Sequence, residues 1–199
     1  MKNNKEAKIL QAAEKVFFSK GFFPARMEDI AEEAGVAKGT LYLYFKDKMS
    51  IYVHLMNHRL EEAINVLQSI QDIKMSASEK LERIFNSWAH YYSQAKGMNS
   101  FVSIENINLT TEIMKEMDTQ IKPKMTKFVD IVAHIIKNGI ENREFKKINP
   151  KIGAIFFLNS IQAVFVSRLH KIGAKDEQKM IKELFFCGLK LTNNKKESK

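Results

Sequence analysis

Apolar residues recur along this chain at helical rather than strand spacing. Ile9, Ala12, Ala13, Val16 and Phe17 fall at i, i+3, i+4, i+7 and i+8, one stripe of an amphipathic helix. Gly21 is placed to end that helix, and a short turn holding Pro24 follows. Residues 27–34 predict a second helix, with Glu28 and Asp29 in the first turn, where the helix dipole favours acid. Gly35-Val36-Ala37 is a tight break before a short third helix over residues 38–45. Asp47 is a candidate N-cap for a fourth helix reaching about residue 70, whose buried side takes Ile51, Leu55, Met56, Leu60, Ala63 and Leu67. Ser76-x-x-Glu79 has the spacing of a capping box and opens a fifth helix through Trp88 to about residue 94.

Beyond a weaker, partly helical connector at residues 97–109, helix resumes at Thr111. Pro123 forces a break or kink, and residues 124–143 continue. Pro150 suits the first turn of a helix running to about residue 170, and residues 176–191 form the last before a polar tail. The expected fold is all-α, with about nine helices and no sheet. A three-helix head at residues 1–47 precedes a helical body at residues 48–199.

Composition narrows this picture. Hydrophobic residues make up 45% of the 199, enough for a real core. The single cysteine, Cys187, cannot form an internal disulfide, which fits a reducing compartment, and its apolar surroundings predict a buried, inert thiol. No export signal is visible at the N-terminus, and the most apolar stretch, residues 152–166, is interrupted by Asn159, Ser160 and Gln162. A cytoplasmic protein with no membrane partner is expected. The net charge of +9 suggests a polyanionic partner, but residues 1–50 carry nine Lys/Arg against seven Asp/Glu, so charge does not locate the site.

Motif and spacing do locate it. Two helices of about two turns each, joined by three residues over 27–46, must cross steeply. That crossing needs a small residue at the contact, supplied by Ala31, and a glycine-like turn, supplied by Gly35. Val36 can plug the corner, while Ile30, Leu41 and Phe45 seal the underside against Ile9, Val16 and Phe17. The third helix then presents Lys38, Gly39, Thr40, Tyr42, Leu43 and Tyr44 outward, a surface suited to the major groove of duplex DNA.

At these residues the chain resembles the TetR/AcrR family of transcriptional regulators. Gly21-Phe22 and the run Met27-Glu-Asp-Ile-Ala-Glu-Glu-Ala-Gly-Val-Ala-Lys-Gly-Thr-Leu-Tyr-Leu-Tyr-Phe-Lys-Asp-Lys48 follow that family's head signature, over residues 5–55. The resemblance implies that Thr40 and Tyr42 touch base edges or nearby phosphates, that Tyr44 and Lys48 reach phosphates, and that Gly39 lets the backbone approach. The family's usual Thr-Thr pair before the second helix is replaced here by Ala25 and Arg26. Arg26 is expected to supply a cationic phosphate contact in place of the missing hydroxyl.

For the body, the resemblance implies a homodimer formed by the last two long helices, a palindromic operator and a ligand pocket. The helix after Pro150 is apolar on nearly all sides, as one packed on both its own core and a second subunit would be. Candidate pocket residues are Trp88, Tyr91, Tyr92, Phe101, Phe128, Phe157 and Phe165, with Glu105, Asn159 and Gln162 as polar handles. Aromatics at helical spacing serve a solid core equally well. The resulting expectation is a repressor released from its operator by a small, largely apolar or amphipathic effector, such as an acyl chain or a lipophilic drug. The alternative is a DNA-bound adaptor of the same fold that recruits another protein and has no effector.

No phosphate-binding loop, dinucleotide fingerprint or nucleophile motif is present, so neither an enzyme nor a cofactor is expected. His54 and His58 stand at i, i+4, but no third ligand is evident. They read as solvated helix positions, and no metal site is expected.

Overall fold

The computed structural model describes residues 2–94, 111–169 and 176–191. They form α1 (Lys2–Lys20), α2 (Met27–Ala34), α3 (Lys38–Tyr44), α4 (Lys48–Asp72), α5 (Ala77–Gln94), α6 (Thr111–Glu116), a π-helical turn (Met117–Ile121), α7 (Lys122–Glu141), α8 (Pro150–Leu169) and α9 (Glu177–Leu189). The fold is all-α; among the described residues the only strand-like feature is an isolated antiparallel bridge between Phe145 and Lys190. The chain separates into two compact units, residues 1–62 with 94–125 and residues 63–93 with 126–199.

In the first unit, the predicted stripe of α1 is buried together with Ile30, Ala31 and Ala34 of α2, Leu41 of α3, and Phe45. The first half of α4 joins them through Ile51, Tyr52, Val53, Met56 and Leu60, and Ile121 from the π-helical turn completes this core. Phe17, Phe22 and Tyr52 form an aromatic triangle with ring centroids 4.9–6.2 Å apart. Burial there pushes the Tyr52 phenol well above its ordinary pKa.

Local signals set the helix ends. Asp47 caps α4, its Oδ1 accepting the Ser50 backbone N–H at 2.7 Å, while Ser50 Oγ accepts the Asp47 N–H at 3.3 Å. The Ser76 box forms as its spacing requires: Ser76 Oγ accepts the Glu79 N–H, and Glu79 Oε2 accepts the Ser76 N–H at 2.9 Å. The Ser76 hydroxyl, which donates to Glu79 Oε2 at 2.7 Å, and then the Ser76 N–H hold the Glu79 carboxyl below its usual pKa. Asn149 Oδ1 accepts the N–H groups of Lys151 and Ile152 at the start of α8. Pro123 sits in the first turn of α7, just after a π-helical turn that interrupts the α-helical pattern where the sequence places a break or kink.

The second unit is built around Leu67, Leu81, Ile84, Phe85, Ile135, Ile136, Phe157, Ile161, Val164, Phe185 and Leu189, all buried. One stripe of α8 is exposed despite being apolar: Ile152, Ile155, Phe156 and Ala163, with Asn159 among them. Met180, Leu184, Cys187, Gly188 and Leu191 form a matching exposed stripe on α9 and just beyond it. Cys187 is therefore not the buried thiol its sequence context predicts. Phe185, Phe186 and Leu189 take the core-facing side of α9 and leave Cys187 exposed. No described helix is long and apolar enough to cross a membrane.

Candidate nucleic-acid interface

The α2–α3 corner turns on Gly35, whose left-handed backbone (φ 60°, ψ 41°) is the conformation that glycine adopts without steric cost. Its N–H donates to the Glu32 carbonyl and that of Val36 to the Ala31 carbonyl, both at 3.0 Å, so the last turn of α2 is closed before the chain reverses. Ala31 is buried and Val36 packs, half-buried, against the head core. Seven residues of α3 follow, with Leu41 wholly buried and Phe45 locked beneath its end. These two anchors fix the helix's rotation and decide which side chains face outward.

Lys38, Gly39, Tyr42 and Leu43 are exposed, and Thr40 is half-buried. Tyr44 is turned further in than the sequence predicts and packs against the head core while keeping part of its surface. The Lys38 ammonium pairs with Glu28 at the start of α2 and lies 5.9 Å from the Tyr42 ring centroid. The Lys38–Glu28 hydrogen bond raises the lysine pKa and lowers that of the carboxyl, so both stay charged near neutrality. Gly39 has nothing within 4 Å of where a Cβ would stand.

Arg26 is the N-cap of α2 and is exposed. Its backbone N–H donates to Asp29 Oδ2 at 2.9 Å, and Lys20 Nζ donates to the other oxygen of that carboxylate at 2.8 Å. The Lys20 bond, then that of the Arg26 N–H, lowers the Asp29 pKa. Asp29 thus satisfies the N–H of the N-cap residue, one half of a capping box, while the half that a threonine hydroxyl would supply, accepting an N–H of the first turn, has no counterpart in the Arg26 side chain. Ala25, beside it, is buried, where a methyl fits and a hydroxyl would need a partner.

Lys48 does not point where the family resemblance implies. Instead of reaching outward for a phosphate, its Nζ donates to the carbonyls of Phe22 (2.6 Å), Phe23 (3.0 Å) and Ala25 (2.7 Å), and it stands 4.5 Å from the Phe22 ring centroid. An ammonium has three N–H groups, and all three are committed to the α1–α2 turn. Burial lowers its pKa from the ordinary lysine value.

The residues proposed for an effector pocket do not share one environment. Trp88 and Phe128 are half-buried and stack face to face, with centroids 4.8 Å apart and planes 6° from parallel. Phe157 is wholly buried between Phe85 and Phe185, where it acts as core packing. Gln162 is half-buried. Asn159 is exposed and its amide bonds back to the Ile155 carbonyl, so it is no interior polar handle. Two residues along a helix turn the side chain about 200°, which sets Asn159 opposite Phe157. Phe101 and Glu105, and the side chains of Tyr91, Tyr92 and Phe165, lie outside the described residues.

His54 and His58 have separate acidic neighbours, Glu6 at 3.5 Å and Glu62 at 3.6 Å, and do not converge on one point. Sequence reasoning placed Leu43 on the outward face without giving it a role, and missed the Glu28–Lys38 pair. The spacing of Leu43 from Leu41 and Phe45 was the available signal.

Comparison with known proteins agrees with this geometry. The bacterial regulatory proteins of the tetR family match residues 9–55. A fatty acid metabolism regulator protein of Bacillus subtilis is 27% identical over 146 residues, 73% of each chain. The transcriptional repressor KstR2 of Mycolicibacterium smegmatis is 26% identical over 144 residues, 66% of this chain and 64% of that one. The crystal structure of the regulator FadR from Bacillus subtilis in complex with stearoyl-CoA superposes with a TM-score of 0.73 at 22% identity, covering 92% of this chain and 98% of that one, and speaks for the fold. The head and its corner at Gly35 fall within the stretch that matches the tetR family of bacterial regulatory proteins, and over most of its length the chain is similar to transcriptional regulators.

Proposed function

We propose that the chain is a repressor that binds a palindromic operator as a homodimer and is released by a long-chain acyl molecule, most simply an acyl-CoA. The observation that carries the DNA half is the exposed face of α3, held at a fixed rotation by buried Leu41 and Phe45. On this reading Arg26, Lys38 and Tyr44 contact phosphates, while Thr40 and Tyr42 meet base edges over the bare backbone of Gly39. Lys38 would exchange Glu28 for a phosphate on docking.

The effector half is supported by relatives named for fatty acid metabolism and by the stearoyl-CoA in the FadR complex. In the body, Trp88 and Phe128, with Tyr91, Tyr92 and Phe165, are the aromatic groups proposed to meet the acyl chain. An effector releases the operator only by binding a conformation incompatible with DNA more tightly than the compatible one. A coupling typical of such systems lowers operator affinity roughly 5–150-fold.

The test is a fluorescence-anisotropy titration of the full chain on a duplex selected from a random pool, with and without stearoyl-CoA. Tight, salt-sensitive binding that weakens within that range, while CoA without its acyl chain has no effect, supports the proposal. Tyr44→Phe should weaken all duplexes alike, whereas replacing Thr40 should change preference at one base pair. Operator binding that ignores every acyl chain offered would overturn the effector half and favour the adaptor reading. Absence of selective duplex binding would overturn the whole.

A further inference from the structure

Leu43 is the most exposed large apolar side chain among the described residues, 84% open to solvent. Its neighbours two positions either way, Leu41 and Phe45, are buried and already anchor α3. Folding therefore has no use for a leucine at position 43, where any polar residue would serve the helix equally well. It stands four residues after Gly39 and three after Thr40, on the same stripe of α3. Beside it, Gly39 offers bare backbone with open space around it, so nothing holds this part of the helix away from a flat surface.

We propose that Leu43 reads the 5-methyl group of a thymine in the major groove, and so fixes a T·A pair at one position of each operator half-site. This rests on the reading of α3 as the helix that faces duplex DNA. The thymine methyl is the one apolar group that the base edges present in that groove, where all other marks are hydrogen-bond donors and acceptors. A leucine can satisfy none of those, and against a phosphate it would only displace water from a charge. One isolated leucine is also too small an apolar surface to seat a protein partner. Against a methyl, both groups leave water together.

The experiment removes only that methyl. In a duplex selected from a random pool, each half-site thymine is replaced in turn by deoxyuridine, which keeps every hydrogen-bonding edge, and binding is measured for the full chain and for Leu43→Ala. One position should show a loss of about fourfold per half-site in the parent protein, the scale of one buried methyl group. Leu43→Ala should bind the thymine duplex more weakly than the parent and should not distinguish thymine from uracil at that position. Thermal melting of the variant checks its fold, which substitution of so exposed a residue should leave unchanged. A parent protein indifferent to uracil at every position overturns the proposal, as does a thymine preference that survives in Leu43→Ala. Leu43→Ala weakening all duplexes equally would make Leu43 a sugar–phosphate contact instead. Each of those outcomes leaves α3 as the DNA-facing helix, whereas failure to select any duplex removes that reading as well.

Discussion

Arg26 and Lys48 are both cations beside the entrance to α2, and they spend their charge differently. Arg26 stands exposed at the N-cap, with its backbone N–H bonded to Asp29. Lys48 turns inward and gives all three N–H groups to the carbonyls of Phe22, Phe23 and Ala25. Those carbonyls lie in a turn where no helix partner serves them, so the ammonium does the work of missing N–H donors. Its stem and charge also cover the Phe22 ring. Lys48→Met keeps an apolar side chain near that ring but strands the three oxygens, and should cost about 2 kcal/mol in urea unfolding, the scale of hydrogen bonding to a charged group. Operator affinity should fall because the turn that leads to Arg26 loosens, yet the slope of log affinity against log salt should stay near that of the parent. Lys48→Arg, which keeps charge and donors, should recover part of the stability. A slope shallower by about 0.9, the mark of one lost phosphate contact, would instead return Lys48 to the DNA interface.

At the scale of whole helices, a glycine inside α7 shows what periodicity conveys and what it omits. Gly139 lies where the helical pattern alone gives glycine no purpose, and it should weaken the helix by about 1 kcal/mol relative to alanine. The structure supplies the reason: a Cβ there would stand 2.2 Å from Phe145 Cδ2 and 2.9 Å from the Ala77 Cβ. The chain folds back just after α7, with the Glu144 and Phe145 N–H groups both donating to the Gly139 carbonyl. The Glu144 carboxylate then accepts the N–H groups of Ala77 and Ser78 at the start of α5. Gly139→Ala should cost about 3 kcal/mol despite alanine's better helix propensity, the overpacking winning over the propensity. Phe145→Leu in the same chain should recover part of that loss; a single variant that melts at or above the parent would show that the contact carries no strain. Most helix boundaries were legible in advance, because capping residues and apolar spacing are local signals. Both predicted N-terminal caps, Asp47 and Ser76, form as their spacing requires. What lies opposite a helix face is not local. The Phe145 ring against Gly139 and the carbonyls around Lys48 depend on residues distant in sequence, and spacing alone did not reveal them, whereas the turn of Asn159 away from Phe157 follows from the helical period. For the same reason the outward face of α3 was legible from its two anchors except at Tyr44, which packs partly on the head core, whereas the effector pocket was only a set of aromatic candidates.

The second unit leaves one large feature unexplained as a single chain: the two apolar stripes on α8 and α9. They carry Ile152, Ile155 and Phe156 on one helix and Met180, Leu184 and Leu191 on and beyond the other, with Phe156 64% and Leu184 70% exposed. The stripes belong to neighbouring helices of one unit, joined where the rings of Phe156 and Phe185 stack 6.2 Å apart. A core-facing role cannot account for them, since Ala154, Phe157, Ile161, Phe185 and Leu189 already fill the core side of the same helices. So many exposed large apolar side chains on two neighbouring helices are uncommon on a monomer, and a two-fold axis would cover them with their own copy. On the proposed dimer, Phe156→Glu combined with Leu184→Glu should halve the mass seen by light scattering to the 23.0 kDa of one chain. Urea unfolding of the variant should cease to depend on protein concentration, which a dimer's does. Cys187 gives an independent reading, because it is exposed on the α9 stripe of the protomer. Its thiol should react slowly with a bulky maleimide in the parent protein and quickly in the double variant, because only the dimer would shield it. Operator binding should weaken with the mass change, since a monomer meets one half-site where the dimer meets two and forgoes the effective concentration that linkage supplies. If the double variant keeps the parent's mass and the same slow thiol reaction, the two subunits do not meet through α8 and α9, and some other partner covers these stripes.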